Sequence, residues 1–502
     1  MKRNGARIGA IMSYILILLN TAYGLIVTPF ILKQVGSADY GVYRTVASLS
    51  ASLAVLDLGF SGTVLRFVAK FNAEKNRTKI NEYLGMALIQ TFAVSGIFVI
   101  VGLCVYFAIE PVYSSKFTPS ELHLTKQLYW ILLANIGLTF FDNVMFGVIA
   151  GHNEFGFANG MKILLLLAKT AAIYIFLPLF GSVIVVVAAQ TALTALALLS
   201  YYLFIHYKLK VRFVFGKWDK ALFKESFGYT LLLFAQSVVI QFNGNVDNIV
   251  IGAVRGTGMV TVYSFAITIY NMYEQLSFSI SGVMLPTVTN RIHDGATSRD
   301  LEDLVIRVGK IQFLLLGAIL FGFVALGKEF FALWLGAGFD DCYLLALILM
   351  IPVTIPLIQN VCISILRARN LMGFRTLSLL YATAFNVVFT IVGTLLYGYF
   401  AAAIGTALST VIGSIISMNI YYKRKLGMNV FRMLFLTVRD AVPALLCATA
   451  ATFLVKNLIY SKFASGLLPF LLSGAVFVAV YGVVAFLFNR AALKDIFLRK
   501  KA

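Results

Sequence analysis

Apolar residues in this chain do not follow the three-and-four spacing of a water-soluble helix. They fall in blocks of about twenty, parted by short polar segments. About fourteen blocks can be drawn, near residues 8–30, 41–64, 83–109, 127–149, 160–178, 181–205, 229–251, 260–288, 308–327, 342–366, 375–398, 400–422, 438–456 and 466–488. Each is long enough to cross some 30 Å of hydrocarbon as a helix. The pattern predicts an all-α polytopic membrane protein. The first block follows a basic start, Met1 to Arg7, but is too long for a signal-peptide core and lacks an A-x-A-like cleavage site, so it reads as an uncleaved first span.

Composition agrees: 60% of the 502 residues are hydrophobic and only 12% are charged, too few to give a large water-soluble globule its polar skin. Cys104, Cys342, Cys362 and Cys447 show neither CxxC nor CxxH spacing, which suggests helix packing rather than a disulfide framework or a metal site. The net charge of +20 would fit a nucleic-acid partner if it were clustered on one soluble face. It is not. Odd-numbered loops hold single cations such as Lys33, Lys116, Arg255 and Lys328. The even loops and tails hold clusters: Lys70 to Lys79, Lys208 to Lys224, Arg291 to Lys310, Arg367 to Arg375, Lys423 to Lys425 and Arg490 to Lys501. This is the positive-inside pattern, with both termini cytoplasmic, and it leaves no need for nucleic acid. Attraction to anionic membrane lipids follows as a secondary consequence.

Sliding the chain by 220 residues lays "ILKQVGSADYGVY" on "IGAVRGTGMVTVY". Ile31 then meets Ile251, Gly36 meets Gly256, Val42 meets Val262 and Tyr43 meets Tyr263; further on, Ser61, Gly62 and Leu65 meet Ser281, Gly282 and Leu285. Six spans separate the equivalent elements, an even number, so the two halves share orientation. The expected architecture is therefore two pseudo-symmetric six-helix lobes around a central cavity, plus two C-terminal helices. The boundaries are an N-lobe at 1–207, a basic cytoplasmic linker at 208–228, a C-lobe at 229–422, and spans 13 and 14 with a basic tail at 423–502.

Polar residues inside the spans mark the candidate site. Gln236, Asn243 and Asp247 share one face of span 7, widened by Gln241, Asn245 and Asn248. Span 8 carries Asn271, Glu274, Ser277 and Ser281; span 4 carries Asn135, Thr139 and Asp142; span 5 carries Lys162 and Lys169 seven residues apart. Span 2 holds both Arg44 and Asp57, which point well apart at about 100° per residue and so need partners from other spans. Ionisable groups at such depth face an interior or a water-filled cavity. Plainer roles stay open: Lys169 snorkelling to the interface, Arg44 anchoring a helix end, Asp247 hydrated near a mouth, Asp57 capping the LDLGF bend. Pro352 and Pro356 predict a break in span 10.

The order "ADYGVY", "LDLGF", Arg66-Phe67 and "VDNIVIGAV" resembles the polysaccharide transporter family, the O-antigen and oligosaccharide flippases, which belong to one superfamily with lipid II flippases and multidrug extrusion transporters. An enzyme would need a sizeable outer loop or a metal-binding carboxylate pair, and the longest outer loops run to about 15 residues, so no enzymatic activity and no cofactor are expected. The resemblance implies a polyprenyl-pyrophosphate-linked oligosaccharide as cargo, moved from the cytoplasmic to the outer leaflet of a bacterial inner membrane, with a polysaccharide polymerase and glycosyltransferases as candidate partners. For such a cargo Arg44, Arg66 and Lys169 suit the pyrophosphate. The amides Gln236, Gln241, Asn243 and Asn245 suit sugar hydroxyls. Asp57, Asp142, Asp247 and Glu274 are then candidates for gating or for carrying a coupling ion, H+ or Na+, with an Arg44–Asp247 pair closing the outer gate. A lipid II flippase and a cation-coupled multidrug exporter are the alternatives. Span 1 offers only Arg7 and Asn20 where lipid II flippases resemble one another in an arginine cluster, and the cations Arg44 and Lys169 suit anions better than cationic drugs.

Overall fold

A computed structural model describes residues 2–54, 59–216, 219–281, 284–462 and 466–488, and among these every regular element is helical. The α-helices are α1 (Lys2–Leu53), α2 (Phe60–Ala73), α3 (Arg77–Tyr113), α4 (Pro119–Gly151), α5 (Phe155–Phe180), α6 (Ile184–Phe204), α7 (Lys220–Arg255), α8 (Thr257–Ser281) and α9 (Met284–His293). They continue as α10 (Ser298–Leu335), α11 (Asp341–Ile358), α12 (Asn360–Ala368), α13 (Met372–Tyr397), α14 (Phe400–Ser409), α15 (Met418–Leu426), α16 (Val430–Val438), α17 (Val442–Lys462) and α18 (Leu467–Phe488). Among the described residues, 11 helical stretches are long and apolar enough to cross a membrane. This is a multi-pass, all-helical membrane protein.

The chain forms two compact units: residues 1–261 with 394–399, and residues 262–393 with 400–502. In the first, α1 bends at Gly36, whose φ of 81° and ψ of 170° interrupt the helix. Gly256, between α7 and α8, has nearly the same backbone, φ 85° and ψ 178°. These are the two glycines that the 220-residue register superimposes. A side chain would strain both, because the left-handed half of φ space favours glycine.

Helix starts follow local chemistry. Thr118 and Glu121 form a reciprocal capping box ahead of Pro119 on α4; Thr297 and Asp300 do the same on α10; Asp219 caps α7. Ahead of α7 the linker lies along α3, where the Val214 and Arg212 amides donate to the Asn81 carbonyl and side chain, at 3.1 and 3.0 Å. The first unit's core includes Phe60, Val64, Phe67 and Val68 on α2, Tyr83 and Leu84 on α3, Val144 and Val148 on α4, and Tyr201 on α6.

In the second unit the α11 helix ends at Ile358 and α12 restarts at Asn360, shortly past Pro356. The break is held by side chains. Ser277 on α8 donates to the Leu357 carbonyl at 3.0 Å and accepts from Gln312 and Asn360, each at 3.0 Å, while the Tyr273 and Thr354 hydroxyls pair at 2.8 Å. All of these groups are buried, so each must find its partner within the protein. Four ion pairs among the described residues tie the C-terminal region to α10: Glu302 and Asp303 with Arg432 at 2.5 and 3.1 Å, Lys310 with Asp440, and Glu329 with Lys456 at 2.7 Å.

Candidate functional site

An open cavity of about 340 Å³ in the first unit is lined by α1, α4, α5 and α6. Its polar lining is Asn20, Thr139, Asp142, Lys162, Lys169 and Gln190, with Thr194 and Tyr201 beside them. Lys162 and Lys169 lie two turns apart on one face of α5, so both ammonium groups reach the same space. Lys169 donates to the Gln190 side-chain carbonyl at 2.8 Å and stands 5.3 Å from the centre of the Tyr23 ring. Gln190 in turn donates to Asn135 at 3.4 Å, and Asn135 donates to Thr194 at 3.0 Å. The ammonium therefore sets the direction of the whole amide chain, because it can only donate. Asp142 is electrostatically coupled to Lys162, yet its Oδ1 is buried without a hydrogen-bond partner. Two cations and one carboxylate leave this space with an excess of positive charge.

A second polar strip runs along the same unit, where the part of α1 beyond Gly36 packs against the second half of α7. Asn248 donates to Ser48 at 3.0 Å, Tyr113 donates to the Ile249 carbonyl at 3.3 Å, and Gly252 lies against Thr45. Small and hydroxylated side chains let the two helices approach closely, as membrane helices do. At the end away from the basic clusters Thr261 donates to the Ser37 carbonyl at 2.6 Å, and Thr257 donates to Glu121 at 2.6 Å. Arg255 donates to the Thr394 and Leu395 carbonyls, at 2.8 and 3.1 Å from Nη2, and so caps the C-terminal end of α13. Arg44 and Asp247 both belong to this unit. Asp247 is buried, and Arg44 is half-buried beside Tyr40 and Tyr43 with its Nε lacking a hydrogen-bond partner.

The other site residues expected from the sequence are placed as follows. Asn245 donates to Gln241, at 2.9 Å to its carbonyl and 3.2 Å to its side chain, so these amides are neighbours on α7. Gln236 and Asn243 lie on α7 as well, with side chains outside the described residues, and Asp57 lies outside the described residues altogether. Arg66 is exposed on α2 with its guanidinium 5.8 Å from the centre of the Phe67 ring. Beyond it, at the basic end of the first unit, Lys70, Lys79, Glu82, Asp219 and Glu225 line an open pocket of about 530 Å³. Glu274 stands in the second unit and accepts from Tyr270 at 3.1 Å. Among the described residues no cluster of three or more His, Cys, Asp or Glu could hold a metal ion.

Gln190 does not stand out in the sequence. A lone amide in "VVVAAQTALTALALL" has no spacing partner on its own helix, and its role emerges only when α5 brings Lys169 against it. Arg255 and Glu121 look like ordinary loop charges until their partners on α13 and α8 are in view.

Residues 8–291, more than half of the chain, match the family described as polysaccharide biosynthesis protein. The chain belongs to that family. Its fold is similar to those of several solved membrane proteins. The lipid II flippase MurJ in an inward closed conformation matches with a TM-score of 0.72 at 16% identity, over 97% of this chain and 99% of that one. An inward-facing multidrug resistance MATE family transporter of the MOP superfamily gives 0.63 at 16% identity, over 82% and 94%. MATE in complex with MaD3S gives 0.57 at 14% identity, over 85% and 96%. No curated protein matches the chain in sequence.

Proposed function

We propose that this polysaccharide-family protein is a flippase that carries a polyprenyl-pyrophosphate-linked oligosaccharide from the cytoplasmic to the outer leaflet of a bacterial inner membrane by alternating access, for cell-surface polysaccharide biosynthesis. The family match over residues 8–291 carries this reading. The cation-rich cavity supports it, because an anionic headgroup drawn out of water needs fixed positive charge in a low-dielectric passage. Lys169, Arg44 and Arg66 are assigned to the pyrophosphate, and Gln236, Gln241, Asn243 and Asn245 to the sugar hydroxyls. Asp57, Asp142, Asp247 and Glu274 serve gating or coupling to H+ or Na+. Each negative charge leaving an inside-negative cell gains about 2.3 kcal/mol per 100 mV, so the cargo's own charge supplies part of the drive. Both termini are cytoplasmic, following the distribution of Lys and Arg. A polymerase and glycosyltransferases then act on either side of the transport step.

A lipid II flippase is the second reading, favoured by the fold likeness to MurJ along nearly the whole of both chains. One experiment separates the two. Proteoliposomes are loaded in parallel with a fluorescent polyprenyl-pyrophosphate oligosaccharide and with fluorescent lipid II, and the movement of each between leaflets is timed. Protein-dependent movement of the oligosaccharide lipid, slowed by Lys169→Ala, is expected. Movement of lipid II alone transfers the assignment to the second reading, and movement of neither overturns both.

A further inference from the structure

The helix α16 joins two membrane-spanning elements and presents two unlike faces. It follows the segment Phe400–Leu426 and precedes Val442–Ser461, both long and apolar enough to span, so its nine residues lie at the level where the chain leaves and re-enters the bilayer. Asn429 caps it, accepting from the Arg432 amide at 3.1 Å. One face is buried: Met433 and Thr437, at i and i+4, pack inward, and Thr437 meets Gly309 of α10. The opposite face holds Phe431 and Phe435, again at i and i+4, with parallel rings 6.3 Å apart. These two side chains are 80% and 52% exposed, on the side of the helix turned away from the protein.

Basic groups border that aromatic pair. Lys423, Arg424 and Lys425 are exposed on the last turn of α15, a short stretch of chain before Phe431, and the Arg439 guanidinium stands 5.9 Å from the centre of the Phe435 ring. An apolar pair beside a cationic run, on a short helix parted from its neighbouring spans by a few residues, combines the two attractions that hold a protein surface to an anionic leaflet: burial of rings at the acyl boundary and pairing of cations with headgroup phosphates. We infer that α16 and the end of α15 form a binding site for an anionic phospholipid, its phosphate at Lys423 to Lys425 and its upper acyl chains under Phe431 and Phe435. The site is mechanically tied to the second unit, because Arg432, one residue from Phe431, donates to Glu302 at 2.5 Å and to Asp303 at 3.1 Å on the first turns of α10. A lipid seated on α16 therefore steadies the start of α10 as well.

The inference does not depend on the cargo and is tested without it. The purified full-length protein in a mild detergent is titrated with phosphatidylglycerol or phosphatidylcholine, and its thermal unfolding midpoint is followed. Phosphatidylglycerol should raise the midpoint more than phosphatidylcholine. The triple variant Lys423→Gln, Arg424→Gln, Lys425→Gln should lose that difference, and Phe431→Ser with Phe435→Ser should lose the response to both lipids. A matched triple at the other basic segment, Lys208→Gln, Lys210→Gln and Arg212→Gln, should keep the wild-type difference. Native mass spectrometry of phosphatidylglycerol retained by each variant guards against a folding artefact. Retention of both the difference and the bound lipid by the 423–425 triple, or their loss in the 208–212 triple instead, overturns the assignment.

Discussion

The Cα of Gly41 faces the Thr257 carbonyl so closely that a methyl group added there would lie 2.1 Å from the oxygen. No real Cβ tolerates that distance against backbone, so Gly41→Ala must push the start of α8 away from the bent half of α1. Overpacking of this kind costs about 1–3 kcal/mol. The shift should also loosen the Ser37–Thr261 and Ser48–Asn248 hydrogen bonds. Expected outcomes are a lower thermal midpoint for Gly41→Ala and faster labelling of a Ser48→Cys reporter by a membrane-impermeant maleimide. Gly258→Ala is the control, since nothing lies within 4 Å of its added methyl. Equal labelling in both variants would show that this seam is not what keeps water out.

Arg255 provides a second hold on the same end of the first unit. Its guanidinium donates to two carbonyls at the C-terminal end of α13, where helix carbonyls lack partners and the dipole favours a cation. Arg255→Lys keeps the charge but loses the fork that reaches both carbonyls. Removal by Arg255→Ala should cost about 0.5–1.5 kcal/mol, the range for an ordinary hydrogen bond, because the Leu395 side is exposed and the Thr394 carbonyl keeps the Gly398 amide at 3.3 Å, with Arg255→Lys falling between it and wild type. Hydrogen exchange of residues 394–399 should rise in the same order. Indistinguishable exchange in Arg255→Ala would mean that water replaces the guanidinium at no cost.

That the chain crosses a membrane many times as helices was legible because an unbroken run of twenty apolar residues has little use outside a bilayer, though 11 long apolar helical stretches rather than about fourteen stand among the described residues; the matched backbone at Gly36 and Gly256 shows that the 220-residue register carried structural information. The break in span 10 was legible from Pro352 and Pro356, although it falls just past them at Gln359, with Ser277 donating to the nearby Leu357 carbonyl. What stayed hidden were partners. Glu302 and Arg432 lie 130 positions apart and look like separate solvated charges until α16 packs on α10. Lys169 stands out in the sequence as a buried cation, whereas the amide chain that receives it does not, because hydrogen bonds between helices leave no periodic mark on either one.

Lys169 should be needed for transport more than for folding. Its hydrogen-bond partner is the neutral Gln190, so Lys169→Met removes a cation from the cavity and leaves an amide that the Asn135 chain can re-pair. One charge-assisted hydrogen bond to an anionic group is worth about 1.5–3 kcal/mol, which corresponds to roughly tenfold to a hundredfold in rate if it acts in the transport step. Flipping of the pyrophosphate-linked lipid by Lys169→Met should fall by that factor, with yield and thermal midpoint near wild type. Lys169→Arg should recover part of it. Wild-type flipping by Lys169→Met would remove this residue from the pathway.

Asp142 and Lys162 form the other charged part of that cavity, and their coupling can be measured directly. Either single neutralisation, Asp142→Asn or Lys162→Gln, leaves the remaining charge half-buried without its opposite, and should lower the unfolding midpoint. The double variant leaves two neutral polar groups instead. Its loss should be well below the sum of the singles, with a coupling of about 1 kcal/mol or more in a double-mutant cycle of unfolding midpoints. Additive losses would mean that water or another group already satisfies each partner, and Asp142 would then be free to act in ion coupling without Lys162.

Glu302 carries the clearest structural load among the ion pairs. It is buried, accepts from Arg432 at 2.5 Å, and accepts from the Asn429 amide at 2.8 Å, so one carboxylate holds both the cap and the first turn of α16 against α10. Glu302→Ala strips two donors of their acceptor and leaves Arg432 with only the more exposed Asp303. A loss of about 1–3 kcal/mol follows from leaving the Asn429 amide and one side of the guanidinium without their acceptor, since Arg432 itself is partly exposed and keeps Asp303. Because the partners lie between α15 and α17, the weakness should be local: limited proteolysis should cut between residues 427 and 441 in Glu302→Ala well before the wild type is cut there. Glu302→Gln, which still accepts one hydrogen bond, should be intermediate. Cleavage elsewhere first would place the structural role of Glu302 within α10 itself and leave α16 held by its apolar face alone.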